Sequence, residues 1–365
     1  MKQVFLESHN IKNQHFGFGQ FNYHLIKGLY NANIQDFKIT LHAKDIGPLE
    51  TEFGNYFIYK KYHSLRRYPL FQIRKKYDVW HSLNQNIKIE PHHEVPYVLT
   101  VHDVNFIDEV SNDPSHEANV RFQEKLNRSN AITYISEYAK QSTHQYFTVP
   151  NVPEYVIYNG NPIRDITLPE SHHPKWMPKR PFLFSIGEFT PRKNFHTLVE
   201  MLAHLPDLDL VLSGNSSTDY ANSKLANTIA DLNLDNRVTV TGKIDDLDKQ
   251  YYLQNCEAFV FPSLREGFGI PPIEAMRFGK PVFLSNHTSL PEIGGKDAFY
   301  WNHFGPKYMA EIVENGLNTY RENKAALSAK YIAHAKSFDW DRSAKQYIEV
   351  YRSVLNRSQN HSHNH

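Results

Sequence analysis

Glu266 and Glu274 stand eight positions apart in the run Ser263-Leu264-Arg265-Glu266-Gly267-Phe268-Gly269-Ile270-Pro271-Pro272-Ile273-Glu274-Ala275-Met276. Carboxylates accept hydrogen bonds from hydroxyl pairs, as on sugars and ribose. A second chemical group is Arg192-Lys193, in Ser185-Ile186-Gly187-Glu188-Phe189-Thr190-Pro191-Arg192-Lys193-Asn194. A planar guanidinium fork beside a compact ammonium suits a diphosphate, and neutralises one that is leaving; a solvated basic pair is the plainer reading. A third is His102-Asp103, at the end of Leu99-Thr100-Val101-His102-Asp103, although a lone histidine at a strand end is as a rule structural. The fourth is the glycine-rich run His15-Phe16-Gly17-Phe18-Gly19-Gln20, which feeds the helical stretch Phe21–Leu29. A glycine turn ahead of a helix offers N–H groups and a positive dipole end to an anion, and is also what any plain turn looks like.

The elements that must hold these groups follow from pattern. Residues 257–261 are an apolar, β-favouring run, and Gly267 and Gly269 let the backbone approach a ligand closely. Pro271 and Pro272 suit a helix start, Gly279 its end, and Val282-Phe283-Leu284 the next strand. Glu266 is therefore expected on the loop and Glu274 in the first helical turn. Both would face the crevice at the carboxyl edge of a parallel sheet, where ligands bind in open α/β folds. After Arg192-Lys193, an amphipathic helix is expected to bury Phe195, Leu198, Val199, Leu202 and Leu205.

Short strands alternate with helical patterns along the whole chain, which predicts an α/β protein with parallel sheets. Strands are expected at Gln3–Glu7, Phe37–Leu41, Tyr77–His81, Tyr97–Val101 and Ala131–Ile135. A second set is expected at Phe182–Ile186, Leu208–Ser213, Val238–Thr241, Ala258–Phe261 and Val282–Leu284. Residues 161–181 hold Pro162, Pro169, Pro174, Pro178 and Pro181 and read as an interdomain linker. The domains are then 1–165 and 181–338, each large enough for its own core. Phe338, Trp340, Tyr347, Val350, Tyr351 and Val354 have helical spacing near the end of the chain. The polar residues 356–365 are expected to be disordered; His361, His363 and His365 alternate there without forming a convincing metal site.

With 365 residues, 40 basic and 39 acidic, the chain has no charge excess that would point to nucleic acid. The single cysteine, Cys256, excludes a disulfide framework, fits a reducing compartment, and reads as a buried thiol. Without an apolar leader or a stretch of about eighteen apolar residues, neither a signal peptide nor a membrane span is expected, and the protein is placed in the cytoplasm, soluble or peripheral at the cytoplasmic face of the membrane.

The run from Pro262 to Pro291-Glu292-Ile293-Gly294-Gly295 resembles the Glu-x7-Glu signature of retaining glycosyltransferases of family 4. Thr100-Val101-His102-Asp103, the Arg192-Lys193-Asn194 stretch and the Gly17–Gly19 loop resemble other motifs of that family. The resemblance covers most of the chain and is stronger in the second half. It implies a GT-B fold, two doubly wound Rossmann-like domains facing a central cleft, with the last helix, about 341–356, crossing back onto the first. It also implies a set of roles. Glu274 would bind ribose hydroxyls. Glu266, with the backbone of Gly267, Phe268 and Gly269, would bind the transferred sugar. Arg192 and Lys193 would stabilise the leaving diphosphate, and Gly17 and Gly19 would close over it. His102 would reach the donor sugar, while Asp103 and Gln20 serve the acceptor, Asp103 alternatively orienting His102. Gly187 and Gly214 would lie against the donor, Gly214 with Gly242 letting backbone approach the base, or forming a mere turn.

The same resemblance implies hexosyl transfer with retention of configuration, as in mannosyltransferases of cell-surface polysaccharide or lipopolysaccharide. GDP-mannose is the first donor expected and a UDP-hexose the second, with a glycan or lipid-linked acceptor. No cofactor or metal is expected. No Asp-x-Asp sits at a strand end, the basic pair takes the place of a divalent cation, and Asp245-Asp246 reads as a helix cap. His287 and Lys296 depart from the family pattern and leave the nucleotide open. A nucleotide-sugar epimerase of the same fold and a non-catalytic partner of a glycosyltransferase are the alternatives. Apart from the signature, residues 56–77 carry Lys60, Lys61, Arg66, Arg67, Arg74, Lys75 and Lys76 among aromatics without an acid. Such a mixture attracts anionic headgroups, at about 1 kcal/mol per basic residue; a solvated face over buried strand and helix residues explains it equally.

Overall fold

The computed structural model describes residues 1–12, 17–163 and 168–362, with side chains through Arg357. His15 and Phe16 of the glycine-rich run, residues 164–167 of the proline-rich stretch, and His363 and His365 lie outside them. The chain divides into two compact units, Met1–Pro162 with Asp339–His365, and Ile163–Phe338.

The first unit is built on a parallel sheet of β1 (Lys2–Glu7), β2 (Phe37–Ala43), β3 (Ile58–Lys61), β4 (Val79–Ser82), β5 (Tyr97–Val101), β6 (Ala131–Tyr134) and β7 (Glu154–Val156). Their order, β3-β2-β1-β4-β5-β6-β7, reverses direction between β1 and β4, the switch point of a doubly wound sheet. The helices are α1 (Gly17–Asn31), α2 (Gly47–Phe53), α3 (Phe106–Glu109), α4 (Glu117–Arg128) and α5 (Glu137–Tyr146). Strands β4, β5 and β6 are buried at every position, as expected where helices cover both faces.

The second unit repeats the plan with β8 (Phe182–Ile186), β9 (Asp209–Ser213), β10 (Val238–Gly242), β11 (Ala258–Phe261), β12 (Val282–Ser285) and β13 (Phe299–Trp301), in the order β10-β9-β8-β11-β12-β13. Its helices are α6 (Phe195–Leu202), α7 (Ala226–Asp231), α8 (Asp246–Asn255), α9 (Ile270–Arg277), α10 (Leu290–Gly294), α11 (Pro306–Glu322) and α12 (Lys324–Ser337). Alternate strand residues point to opposite faces. Leu183, Leu210, Leu212 and Val260 meet α6 and α11, whereas Phe184, Val211, Phe259 and Phe261 meet α8, α9 and α12.

The last helix, α13 (Trp340–Ser362), packs along α1 and belongs to the first unit. Glycines make this possible. A Cβ at Gly28 would stand 2.7 Å from the Ala344 Cβ, and one at Gly160 2.3 Å from the Trp340 nitrogen. Tyr351 Oη meets His81 Nδ1 at 2.8 Å, and His81 Nε2 meets Thr100 Oγ1 at 2.7 Å, tying α13 through the sheet interior.

Several expectations are corrected. Helix α1 begins at Gly17, so Gly17 and Gly19 form its first turn rather than a turn ahead of it. The expected strand at Tyr77–His81 starts at Val79. Helix α13 runs to Ser362, past the Asn356 where order was expected to end. The proline-rich stretch, read as an interdomain linker, makes contacts of its own. His172 Nε2 meets Asp248 Oδ1 at 2.8 Å, and Tyr252 Oη donates to the Trp176 carbonyl at 2.5 Å, so residues 172–176 lie against α8.

Candidate functional site

In the second unit the switch point lies between β8 and β11, and the loops leaving those two strands carry the expected chemistry. After β8 the chain makes a short 3-10 turn, Pro191–Lys193, and enters α6 through Asn194, whose φ of 58° is left-handed. Asparagine tolerates that conformation better than most residues. After β11 the chain runs through Ser263 and Glu266 to Gly269, which opens α9 with φ 114°. A backbone bond from Leu264 N–H to the Arg192 carbonyl, 2.9 Å, joins the two loops.

Side chains complete the junction. Glu266 Oε1 lies 2.5 Å from Lys193 Nζ, accepts from Ser263 Oγ at 2.5 Å, and is 3.5 Å from Arg192 Nη1. Arg192 also donates to the Arg265 carbonyl at 2.6 Å, and the Lys193 ammonium lies 4.6 Å from the centre of the Phe261 ring. Burial by itself would raise the Glu266 carboxyl, but Lys193 and then Arg192 outweigh it and hold it below the ordinary carboxylate range. The sequence assigned Glu266 to sugar and the basic pair to diphosphate as separate groups; in this structure they form one cluster. Gly187 leaves room for the lysine stem, since a Cβ there would be 3.2 Å from Lys193 Cε.

Two residues that the sequence reading passed over support the loop. Glu266 N–H donates to Thr288 Oγ1 at 3.0 Å, and Ser289 Oγ donates to the carbonyls of Glu266 and Phe268 at 2.9 and 2.7 Å. Thr288 holds φ 55°, a left-handed conformation uncommon for a β-branched residue. The Phe268 ring is buried and meets Phe338 in an edge contact at 5.7 Å.

Glu274 lies in the second turn of α9, not the first, because the helix starts at Ile270. Its Oε1 accepts from Lys249 Nζ at 3.0 Å. Lys249 is a third residue missed in the sequence, where nothing marks a lysine on α8 as a partner of α9. Gly214 has a packing role of its own. Its φ is 132°, and an added Cβ would sit 1.8 Å from the Gly187 carbonyl oxygen, so glycine is needed there for the strand ends to pass each other. Gly242, with φ 73°, accepts at its carbonyl from Gly214 N–H at 2.8 Å. Asp245 caps α8 by accepting from Asp248 N–H at 2.8 Å, as the sequence predicts.

In the first unit His102 follows β5 and is 5% exposed, its ring flanked edge-on by Phe18 and Phe21 at 4.8 and 4.6 Å. Nε2 lies 2.9 Å from the Leu83 carbonyl, which can only accept, so this nitrogen carries the proton. Burial pushes the imidazole down to about 4, and it is neutral at pH 7. Asp103 Oδ1 accepts from Asn105 N–H at 3.0 Å. Gln85 braces this corner, accepting from His102 N–H at 3.1 Å and donating to the Asp103 carbonyl at 2.9 Å. Gln20 Oε1 meets His24 Nε2 at 2.9 Å, one turn along α1.

At the ends of β1 and β2 lies a charged cluster that no motif announced. The fully buried Glu7 meets His9 Nδ1 at 2.8 Å and His42 Nδ1, and His42 Nε2 accepts from Arg66 Nη1 at 3.3 Å. Arg66 thereby fixes the inner side of residues 56–77. Their outer side exposes Leu65, Tyr68, Leu70 (73% exposed) and Phe71 on two 3-10 turns, Ser64–Arg67 and Pro69–Phe71. Lys60, Lys61, Arg67, Arg74, Lys75 and Lys76 accompany them, all partly or fully exposed. Cys256 is buried, and burial pushes its thiol up to about 12, which leaves it inert. No helix among the described residues is long and apolar enough to cross a membrane.

The family model described as Glycosyl transferases group 1 matches residues 170–352. Serotype-specific mannosyltransferase WbdA of Escherichia coli is 32% identical over 187 residues, 49% of this chain and 22% of that protein. The chain thus spans less than a quarter of WbdA. O-antigen chain mannosyltransferase B of Escherichia coli is 25% identical over 342 residues, 88% of this chain and 86% of that one. Among solved structures, Anabaena HepE in complex with UDP and glucose superposes with a TM-score of 0.68 at 19% identity, covering 97% of this chain and 100% of that one. Sucrose-phosphate synthase from Thermosynechococcus elongatus gives 0.72 at 18%, covering 98% and 100%. At such identities the likeness speaks for the fold, which is GT-B. With half of its length matched by the family model and the paired acids and bases at the switch point of the second sheet, the chain belongs to the group 1 glycosyl transferases.

Proposed function

We propose that this protein transfers a hexose, with mannose first, from a nucleotide-diphosphate sugar to a glycan or lipid-linked acceptor in cell-surface polysaccharide or lipopolysaccharide synthesis. The observation that carries the reading is the meeting of Glu266, Lys193 and Arg192 at the switch point, with Glu274 on the helix that follows. Arg192 and Lys193 offer positive charge where negative charge grows on the departing diphosphate. As phosphate oxygens take over the Lys193 ammonium, the Glu266 carboxylate becomes available to the sugar hydroxyls. Glu274 takes the ribose. His102, neutral, serves as a hydrogen-bonding group beside the sugar rather than as a cation, and the acceptor attacks from the face the diphosphate leaves, so configuration is retained. Gly17 and Gly19 approach the diphosphate from α1, and Asp103 and Gln20 lie toward the acceptor. Because the basic pair supplies the charge, activity is expected to persist in EDTA.

Two mannosyltransferases among the relatives support mannose and hence GDP-mannose; HepE, solved with UDP and glucose, keeps a UDP-hexose as the second donor. The cationic and apolar outer side of 56–77 suits a lipid-linked acceptor, reached at the cytoplasmic face of a membrane by peripheral contact. The test is thermal melting with UDP, GDP, ADP and dTDP, for the wild type and Glu274→Gln. A nucleotide at a hundredfold its Kd stabilises by about 2.7 kcal/mol. One nucleotide should shift the wild type and not the variant; no shift with any would favour the non-catalytic reading.

A further inference from the structure

Each glutamate of the pair has its own ammonium, brought from a different βα unit. Lys193 follows β8 and reaches Glu266; Lys249, on α8, follows β10 and reaches Glu274. The second pair is well enclosed, with side-chain exposures of 19% for Lys249 and 6% for Glu274. Among the described residues the other acid on Lys249 is Asp246, with Oδ1 at 3.4 Å; it is 90% exposed, so it competes weakly. Burial opposes the lysine's charge, yet Glu274 and then Asp246 raise its pKa, so it is an ammonium throughout the working range. Helix α8 is fixed at its start by the Asp245 cap and along its outer side by residues 172–176. The ammonium is therefore held in place rather than swinging in solvent.

We propose that Lys249 and Glu274 act together as a reader of a vicinal diol, and that Lys249 is a specificity-determining residue for the ribose of the nucleotide. The proposal rests on the assignment of Glu274 to ribose made above. A hydroxyl both donates and accepts, whereas a carboxylate can only accept and an ammonium can only donate. Alone, Glu274 satisfies the protons of a diol and leaves its oxygens unserved. With Lys249 beside it, Oε1 is taken by the lysine and Oε2 is left for a ribose proton, while a remaining ammonium N–H serves a ribose oxygen. Both bonds are charge-assisted and enclosed. Loss of one hydroxyl would then strand a buried charged group, which discriminates more strongly than a missing contact.

The experiment is isothermal titration of the full chain with GDP and 2′-deoxy-GDP, and with UDP and 2′-deoxy-UDP. It is run for the wild type, Lys249→Met, Lys249→Arg and Glu274→Gln. The wild type should favour the ribonucleotide by about tenfold or more, equal to about 1.4 kcal/mol. Lys249→Met should weaken ribonucleotide binding by a similar factor and leave the deoxy form within about twofold, so the ratio collapses. Lys249→Arg keeps the ion pair and the fold, and should still lower the ratio because its planar fork sends N–H groups elsewhere. Equal weakening of both nucleotides, or an unchanged ratio in both lysine variants, overturns the proposal. If Glu274→Gln collapses the ratio and the lysine variants do not, the lysine role alone fails; if Glu274→Gln also leaves it intact, the ribose assignment fails with it.

Discussion

Lys193 Nζ and Glu266 Oε1 lie 2.5 Å apart although 73 positions separate them in the chain. The pair ties the loop after β8 to the loop after β11, so one contact serves both stability and charge. Lys193→Met should cost about 3–5 kcal/mol in urea unfolding, because it strands a buried carboxylate. Glu266→Leu on top of it should recover part of that loss. Transfer activity should fall by about 10²–10³ in kcat for either single variant. A double variant as unstable as the sum of the singles would mean that the two residues do not act as a pair.

Glycines 17 and 214 should separate ligand approach from packing. A methyl at Gly214 would collide with the Gly187 carbonyl, while one at Gly17 meets nothing within 4 Å among the described residues. Gly214→Ala should destabilise by roughly 3 kcal/mol, and Gly17→Ala by no more than about 0.5 kcal/mol. If Gly17 lies against the diphosphate, its variant loses transfer rate with an unchanged melting temperature. Normal rates for Gly17→Ala would remove it from the donor site.

Acid should weaken the first unit in a definite window. Burial holds His102 at about 4 and His81 at about 3, against 6.5 for a free histidine. The unfolded chain then binds protons first, so the stability these neutral rings contribute is complete above 6.5 and is lost as pH falls toward their folded values. The slope is about 1.4 kcal/mol per pH unit for each ring. Urea midpoints at pH 7.5 and 5.5 should differ for the wild type and differ less for His102→Gln. Equal pH dependence in the two proteins would show that His102 charges as readily folded as unfolded.

The hydrogen bond from α13 to the sheet interior gives a fourth test. Tyr351→Phe removes the partner of His81 Nδ1 at a fully buried site. The expected loss is about 1–3 kcal/mol, with no change in nucleotide affinity, since the nucleotide is assigned to the other unit. Isothermal titration beside urea unfolding distinguishes this from a wider collapse.

Reversing the charges of Lys60, Lys61, Arg66 and Arg67 should abolish sedimentation with phosphatidylglycerol vesicles. Each reversal acts on an attraction of about 1 kcal/mol per basic residue. Arg66 also touches His42, so a triple variant sparing it guards against misfolding. Unchanged sedimentation of the triple variant would end the membrane reading.

Much of the second unit is readable from local pattern. Strands β8, β11 and β12 are apolar runs bounded by turn residues, and α9 is marked by Gly269, two prolines and Gly279. Three strands escaped. Ile58–Lys61 and Glu154–Val156 lie at the two edges of the first sheet and Phe299–Trp301 at an edge of the second, all short, and edge strands need no continuous apolar run. Tyr77 misled the boundary of β4 because its ring is buried while its backbone lies outside the ladder.

By itself the sequence determined which groups are chemically able: two carboxylates with glycines between them, a basic pair ahead of a helix, and a histidine at a strand end. Those facts depend on residue type and near spacing, which the chain carries locally. Only the tertiary structure decided who meets whom. Ladder order sets the loops after β8 and β11 side by side and so joins Lys193 to Glu266; helix packing brings Lys249 to Glu274 across 25 positions. It also decided that the His102 ring meets the Leu83 carbonyl, 19 positions away. Such pairings follow from the winding of the sheet and the burial of helix faces, and no window of sequence contains both partners.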